Sequence, residues 1–303
     1  MKNETFTKLI ALMMVFSCMC ISCSKDGDDD DIIDQTEEQL PANKEDAEAK
    51  IKGKWEVSAS GEVRSLEFIE GNTYILEVSA SSSLVSRQSP LSSRAALARN
   101  GGGLKAETTE TSSTERISGQ FTVSADGHSI MLDDIAQITI SGISEESFTF
   151  NIKFTEDNRE LSVTTTIASA VDASSKTTLL ARNWGFPVWA DYDLPNREIF
   201  ESHGLKPQDQ GMQFTVSGTM IMRYINFVES QPVDPETGQP GPSVITDVYL
   251  GADVYSWKWK NSEQTVITAT RGNEAFDITI ESLTETGLNA KLNNGNTWAM
   301  VAL

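Results

Sequence analysis

The chain has 303 residues and a formal net charge of −20, with 44 acidic side chains against 24 basic ones. That balance opposes nucleic acid and anionic membrane surfaces as partners, because both are held through basic patches. Cys18, Cys20 and Cys23 are the only three cysteines, and their crowding near the N-terminus excludes a disulfide framework in the rest of the chain.

The N-terminus has the order of a secretory leader. Lys2 and Lys8 are followed by the apolar run LIALMMVF (9–16), and small or thiol residues continue to Cys23. The apolar stretch 9–22 falls short of the roughly 20 residues that a membrane-spanning helix needs. No later segment is long and apolar enough to span. Ser22-Cys23 resembles the lipobox of bacterial lipoproteins, although Cys20 stands where that motif usually has leucine. The resemblance implies a signal peptide over 1–22 and lipidation of Cys23. Ser24, Lys25, Asp26, Asp28, Asp29, Asp30 and Asp31 follow at once. Such a cluster resembles the export signal of Bacteroidota surface lipoproteins. It implies a protein on the outer face of the outer membrane, held there through its N-terminal lipid only. Mutual repulsion of these charges predicts an extended, flexible acidic tether over 23–42.

The remaining chain is long enough for two domains of ordinary size. Its periodicity is two. Phe148, Phe150, Ile152 and Phe154 alternate with Thr149, Asn151 and Lys153, and Trp257 and Trp259 alternate with Ser256, Lys258 and Lys260. This alternation marks strands with one buried face. Turn residues such as Gly71-Asn72, Asp126-Gly127, Arg271-Gly272-Asn273 and Asn294-Gly295 separate them.

The pattern also repeats. ITISGISEESFTFNIKF (138–154) matches ITIESLTETGLNAKLNN (278–294) without a gap. Upstream, GQFTVSADGHSIML (119–132) matches YSWKWKNSEQTVIT (255–268), which sets Phe121 against Trp257, Ile130 against Val266 and His128 against Gln264. EFIEGNTYI resembles QFTVSGTMI, and IKGKW (51–55) resembles LARNW (180–184), in the same order. Two copies of one all-β domain are therefore expected, over 43–169 and 170–303, each with roughly eight short strands. A closed antiparallel meander removes exposed edges at that strand number. A short helix followed by Gly53-Lys54-Trp55 resembles the lipocalin-like domains of Bacteroidota lipoproteins; the second copy has Arg182 in place of Gly53 but keeps Trp184. The resemblance implies two tandem lipocalin-like barrels and a cavity for a ligand.

Two segments differ between the copies. Residues 80–116 are rich in Ser, Gly and Thr and are predicted to be a disordered loop, with Arg87, Arg94, Arg99 and Lys105 as a basic island whose other reading is a contact site for an acidic partner or glycan. After Trp184 the second copy carries GFPVWADYDLPNREIFESHG, in which Pro195 begins a short helix and Gly204 ends it. Trp189, Tyr192 and Phe200 lie there, outside what the shared fold requires. They are the candidate ligand-binding residues, with a plug that packs down as the other reading.

No catalytic residue is expected. His128 and His203 are the only histidines, and no G-x-S-x-G elbow, phosphate-binding loop or H-E-x-x-H is present. Asp133-Asp134 and Glu145-Glu146 are sequence neighbours, which point to opposite faces of a strand and make poor partners for acid–base work. No metal or cofactor is expected. The expected function is non-enzymatic binding of a small apolar ligand or a carbohydrate at the cell surface. The alternative is a structural or accessory subunit of a cell-surface assembly, with a protein partner and no small-molecule ligand.

Overall fold

A computed structural model describes residues 38–58, 61–79, 114–189, 194–232, 238–293 and 295–303. The expected signal peptide, Cys23 and the acid cluster from Ser24 to Asp31 lie outside the described residues.

The first copy opens with α1 (Lys44–Lys50) and continues as β1 (Gly53–Val57), β2 (Val63–Ile69), β3 (Thr73–Ser79), β4 (Thr114–Val123), β5 (Ser129–Leu132), β6 (Ala136–Ile143), β7 (Ser147–Phe154) and β8 (Glu160–Ile167). The second opens with α2 (Ser175–Leu180) and β9 (Asn183–Gly185) and then inserts α3 (Leu194–Ser202). It continues as β10 (Gly211–Phe214), β11 (Thr219–Ser230), β12 (Val244–Trp259), β13 (Val266–Arg271), β14 (Glu274–Leu283), β15 (Gly287–Leu292) and β16 (Thr297–Ala302). Each copy is a closed antiparallel meander: β8 returns to β1, with Trp55 opposite Ile167, and β16 returns to β9, with Ala302 opposite Trp184. The chain is two tandem barrels of the expected class, and closure leaves the body of neither sheet with an edge.

The alternation seen in sequence sorts side chains between interior and exterior. Along β7, Phe148, Phe150, Ile152 and Phe154 are fully buried while Lys153 is exposed. One end of each barrel is closed by its helix through the same contact. Trp55 Nε1 donates to the Ile51 carbonyl at 2.7 Å, and Trp184 Nε1 donates to the Leu180 carbonyl at 2.9 Å. The tryptophan thus fills the interior and satisfies a carbonyl that a helix C-terminus leaves without an intrahelical partner. Asn43 caps α1 and Ser174 caps α2. Beside Ser174, Asp172 accepts hydrogen bonds from the Ser174 amide, Thr177 Oγ1 and Gln264 Nε2. Hydrogen bonding from Ser174 and Thr177 holds its pKa down at about 2.

The duplication extends to irregularities. The β6–β7 ladder slips between Ile140 and Gly142, and the β14–β15 ladder slips between Ile280 and Ser282, the same place in the ungapped match. The upstream match needs one correction. Val123 pairs with Ile130, whereas Trp259 pairs with Ile267, so the second hairpin is one residue longer. The Ile140 amide donates to the His128 carbonyl and the Ile280 amide to that of Thr265. Thr265, not Gln264, is therefore the counterpart of His128, and Ile267, not Val266, that of Ile130.

Two expected boundaries also move. Thr114, Glu115 and Arg116 are not loop: they begin β4, paired with Ser79, Val78 and Glu77. The rest of the expected loop over 80–116 lies outside the described residues. At the other boundary, residues 38–42 are not free tether, because Gln39 bridges to Ile143 and Pro41 is buried.

The barrels meet through their equivalent hairpins. Ile69 and Ile75 from the first cluster with Ile221 and Val254 from the second. Ile75 and Ile221 are counterparts in the repeat, so the interface has an approximate two-fold relation of the kind found in isologous dimers. Glu67, only 2% exposed, accepts from Ser217 Oγ and Thr219 Oγ1, each at 2.5 Å. Its counterpart Gln213 donates to the Glu70 carbonyl at 3.3 Å, and Arg116 donates to Ser256 Oγ at 2.7 Å. Removing the Glu67 carboxylate strands the buried Thr219 hydroxyl and takes one of two partners from the half-buried Ser217 hydroxyl. Glu67→Ala is therefore expected to destabilise the chain by about 1–3 kcal/mol, read as a lower denaturation midpoint. A midpoint equal to that of the parent chain would mean that this contact does not hold the barrels together.

Candidate functional site

The barrel interiors are the first place where a ligand would sit, and side chains occupy them. In the first, Trp55 meets Phe148 at 5.5 Å between centroids, Phe68 meets Phe121 at 4.9 Å and Phe148 meets Phe150 at 4.6 Å. In the second, Phe214 meets Trp257 at 5.7 Å and Trp257 meets Trp259 at 5.6 Å, both edge-on. The copies fill the same space with different partners. Leu132 opposite Ala136 in the first becomes Ala269 opposite Phe276 in the second. Tyr74 opposite Gly119 becomes Met220 opposite Tyr255. A large residue on one strand is exchanged for a large residue on its neighbour, the substitution that cores tolerate best.

At the end of the second barrel away from α2, a charged layer closes over this core. Arg271 pairs with Asp253 and, at 2.8 Å, with Glu274. Its guanidinium stands 4.9 Å from the centre of the Tyr255 ring, which meets Phe276 edge-on at 5.1 Å. Burial alone would lower the Arg271 pKa; the hydrogen bond to Glu274 and the charge of Asp253 outweigh it and hold the group up. Burial pushes the Tyr255 hydroxyl up, and Arg271 opposes that push. Half-buried Phe186 and Trp298 pack edge-on at 5.9 Å in the same barrel. The layer is particular to the second copy, where β13 and β14 pair out to Arg271 and Glu274; in the first copy β5 and β6 stop at Leu132 and Ala136. In the sequence, Arg271 stands out only as part of a turn. The available signal is Asp253, an acid on the same strand face as Tyr255 and Trp257 and so in need of a cation partner.

The three aromatics of the insertion are placed as follows. Trp189 and Phe200 pack together at 5.6 Å, and Phe200 meets Phe227 at 6.3 Å. They form a cluster with Ile225 and Val248, residues on the β11–β12 face opposite to interior-facing Met220 and Met222. The insertion thus lies against the outside of the long β11–β12 hairpin. Trp189 Nε1 donates to Glu201 Oε1 at 3.0 Å, and Arg197 donates to the Trp189 carbonyl at 3.1 Å. Phe200 is fully buried and Trp189 is 8% exposed, so neither presents an open ring face. Tyr192 lies outside the described residues.

The two histidines are apart. His128 Nε2 lies 3.2 Å from the Pro41 carbonyl, and His203 Nδ1 lies 2.8 Å from that of Ile199. Among the described residues, no group of three or more His, Cys, Asp and Glu side chains is arranged to hold a metal ion. None of the described helices is long and apolar enough to cross a membrane.

No protein-family model matches the sequence, and no curated protein matches it either.

Phe200→Ala and Trp189→Ala are each expected to cost about 3–5 kcal/mol, as for other large aromatic truncations in packed clusters. The check is a denaturation curve of each variant beside Trp259→Ala. Variants of Trp189 and Phe200 that match the parent in stability would show that the insertion does not brace the hairpin.

Proposed function

We propose that this protein is a lipid-anchored, surface-exposed outer-membrane lipoprotein of the Bacteroidota type. In this reading it acts without catalysis, as a structural or accessory subunit of a cell-surface assembly. The observation that carries the reading is the filling of both interiors by aromatic and branched side chains. An eight-stranded barrel has room either for its own side chains or for one small ligand, and rings standing about 5 Å apart take up that room. Binding work then falls to the outer surface. Among the described residues the large exposed apolar side chains there are aliphatic, such as Val188, Val244 and Leu250. A flat aromatic platform, the usual means of holding a sugar ring, is not offered by any of them. The partner is accordingly a cell-surface protein.

A second reading, binding of a small apolar ligand or a carbohydrate, draws on the second barrel alone. Phe186, Trp298 and Phe276 are half-buried there, in the barrel that carries the Arg271–Asp253–Glu274 layer. Hydrogen-bonding charge beside aromatic surface is the chemistry of a polar ligand site. The layer's charges are already paired with one another, which favours the first reading.

In the proposed reading the acyl chains on Cys23 are the membrane anchor. Cys23→Ala is expected to release the protein into the soluble fraction, and Ala substitution of Asp28, Asp29, Asp30 and Asp31 to leave it lipidated but shielded from protease added to whole cells. Persistence of the Cys23→Ala protein in salt-washed membranes would overturn the lipoprotein reading. Binding of a fatty acid or glycan probe that is abolished by Trp298→Ala would favour the ligand reading.

A further inference from the structure

Residues 38–43 lie across one end of the first barrel in a way that the second copy does not repeat. Glu38 accepts from Ser147 Oγ at 2.5 Å and from Thr149 Oγ1 at 3.1 Å. The Gln39 amide donates to the Ile143 carbonyl at 3.1 Å, and the Ile143 amide donates back to the Gln39 carbonyl at 3.0 Å. Pro41 is buried, its carbonyl beside His128 Nε2, and Asn43 then caps α1. The segment runs from the β6–β7 turn to the β4–β5 turn and hands the chain to the helix that plugs that end.

Two glycines make room for it. A Cβ on Gly142 would stand 2.8 Å from both Cβ and Oε2 of Glu38, and one on Gly127 would stand 2.3 Å from the Asn43 carbonyl oxygen. In the second barrel the counterparts of Gly142 and Thr149 are Ser282 and Asn289, which hydrogen-bond to each other at 2.8 Å. The equivalent chain goes elsewhere there, with the Val171 amide donating to the Val216 carbonyl. The groove at Gly142 is therefore specific to the first barrel and to this segment.

We infer that residues 38–43 are a docked strap that fixes where the N-terminal arm leaves the body, and that the α1 end of the first barrel, at the β6–β7 turn, faces the membrane. The membrane-facing part rests on the lipid-anchor reading of Cys23; the strap does not. Only residues 24–37 then separate the lipid from the strap, a reach of at most about 50 Å at full extension. The opposite end, with the β5–β6 turn at Asp133 and Asp134, is the end presented outward.

Hydrogen exchange on the full-length, detergent-solubilised protein tests the strap. The Gln39 amide is expected to be protected in the parent chain. In Glu38→Ala, which loses two accepted hydrogen bonds, Gln39 is expected to exchange about tenfold faster. Gly142→Leu, which fills the space of the Glu38 side chain, should do the same while Ile140 keeps its protection. A Gln39 amide that exchanges like a free peptide in the parent chain would overturn the strap.

Orientation is read with a fluorophore on Glu145→Cys or Asp134→Cys, in vesicles whose headgroups carry a quencher. The lipidated cysteine is not available to the label. Stronger quenching at 145 than at 134 is expected; equal or reversed quenching would overturn the assigned membrane-facing end. Protein that does not partition into vesicles at all would sink the lipid anchor and the orientation with it, leaving hydrogen exchange to decide the strap on its own.

Discussion

The constraint on which the rest of the structure depends is closure at eight strands. A closed sheet has no edge to template aggregation, and at eight strands its interior has room for its own side chains or for one small ligand. Every interior position is then a packing problem shared with its cross-strand neighbour. Trp55 and Trp184 answer it in the same way in both barrels, by filling the interior and bonding back to the plugging helix. Elsewhere the copies diverge in pairs. Phe276 grows where Ala269 shrinks, and Tyr255 fills the space that the first barrel gives to Tyr74 over Gly119. Volume is conserved across a ladder rather than at a position, as close packing requires.

With the interiors committed, the two barrels differ most in what they do with their ends and outer faces. The first receives the incoming chain at Gly142 and Gly127. The second carries the insertion on its long hairpin and the paired charges of Arg271 over its core. Between them lies an interface made from equivalent hairpins, with Ile75 and its counterpart Ile221 in one cluster and Glu67 buried among hydroxyls. A buried carboxylate is costly unless its hydrogen bonds are complete, so such a contact favours one relative placement of the barrels over others.

Much of this was legible in the sequence, and the reason is periodicity. Alternation along β7, the turn residues and the repeat together predicted two eight-stranded barrels, because interior faces leave a trace every second residue. The helix of the insertion was legible from Pro195 and Gly204, which act locally. What was missed depends on contacts between distant outer faces. Glu38 reads as one more acid in an acidic arm; its partners Ser147 and Thr149 are far away in sequence. Glu67 reads as a surface charge for the same reason, and Arg271 reads only as part of a turn. The extra residue in the second β12–β13 hairpin was hidden because Val266 and Ile267 are both apolar, and either can be set against Ile130. For the candidate ligand aromatics, composition marked Trp189 and Phe200 as additions to the fold but could not say that Ile225 and Val248 would cover them.

The measurement that bears most directly on the filled interiors is a crystal structure determined under xenon pressure. Xenon enters dry apolar cavities and is seen by its electron density. The account requires both barrels to be free of xenon between their plugging helices and the Arg271 layer or its counterpart end. A well-occupied xenon site among Trp55, Phe68 and Phe148, or among Trp184, Phe214 and Trp257, would contradict it and return the barrels to the role of ligand carriers.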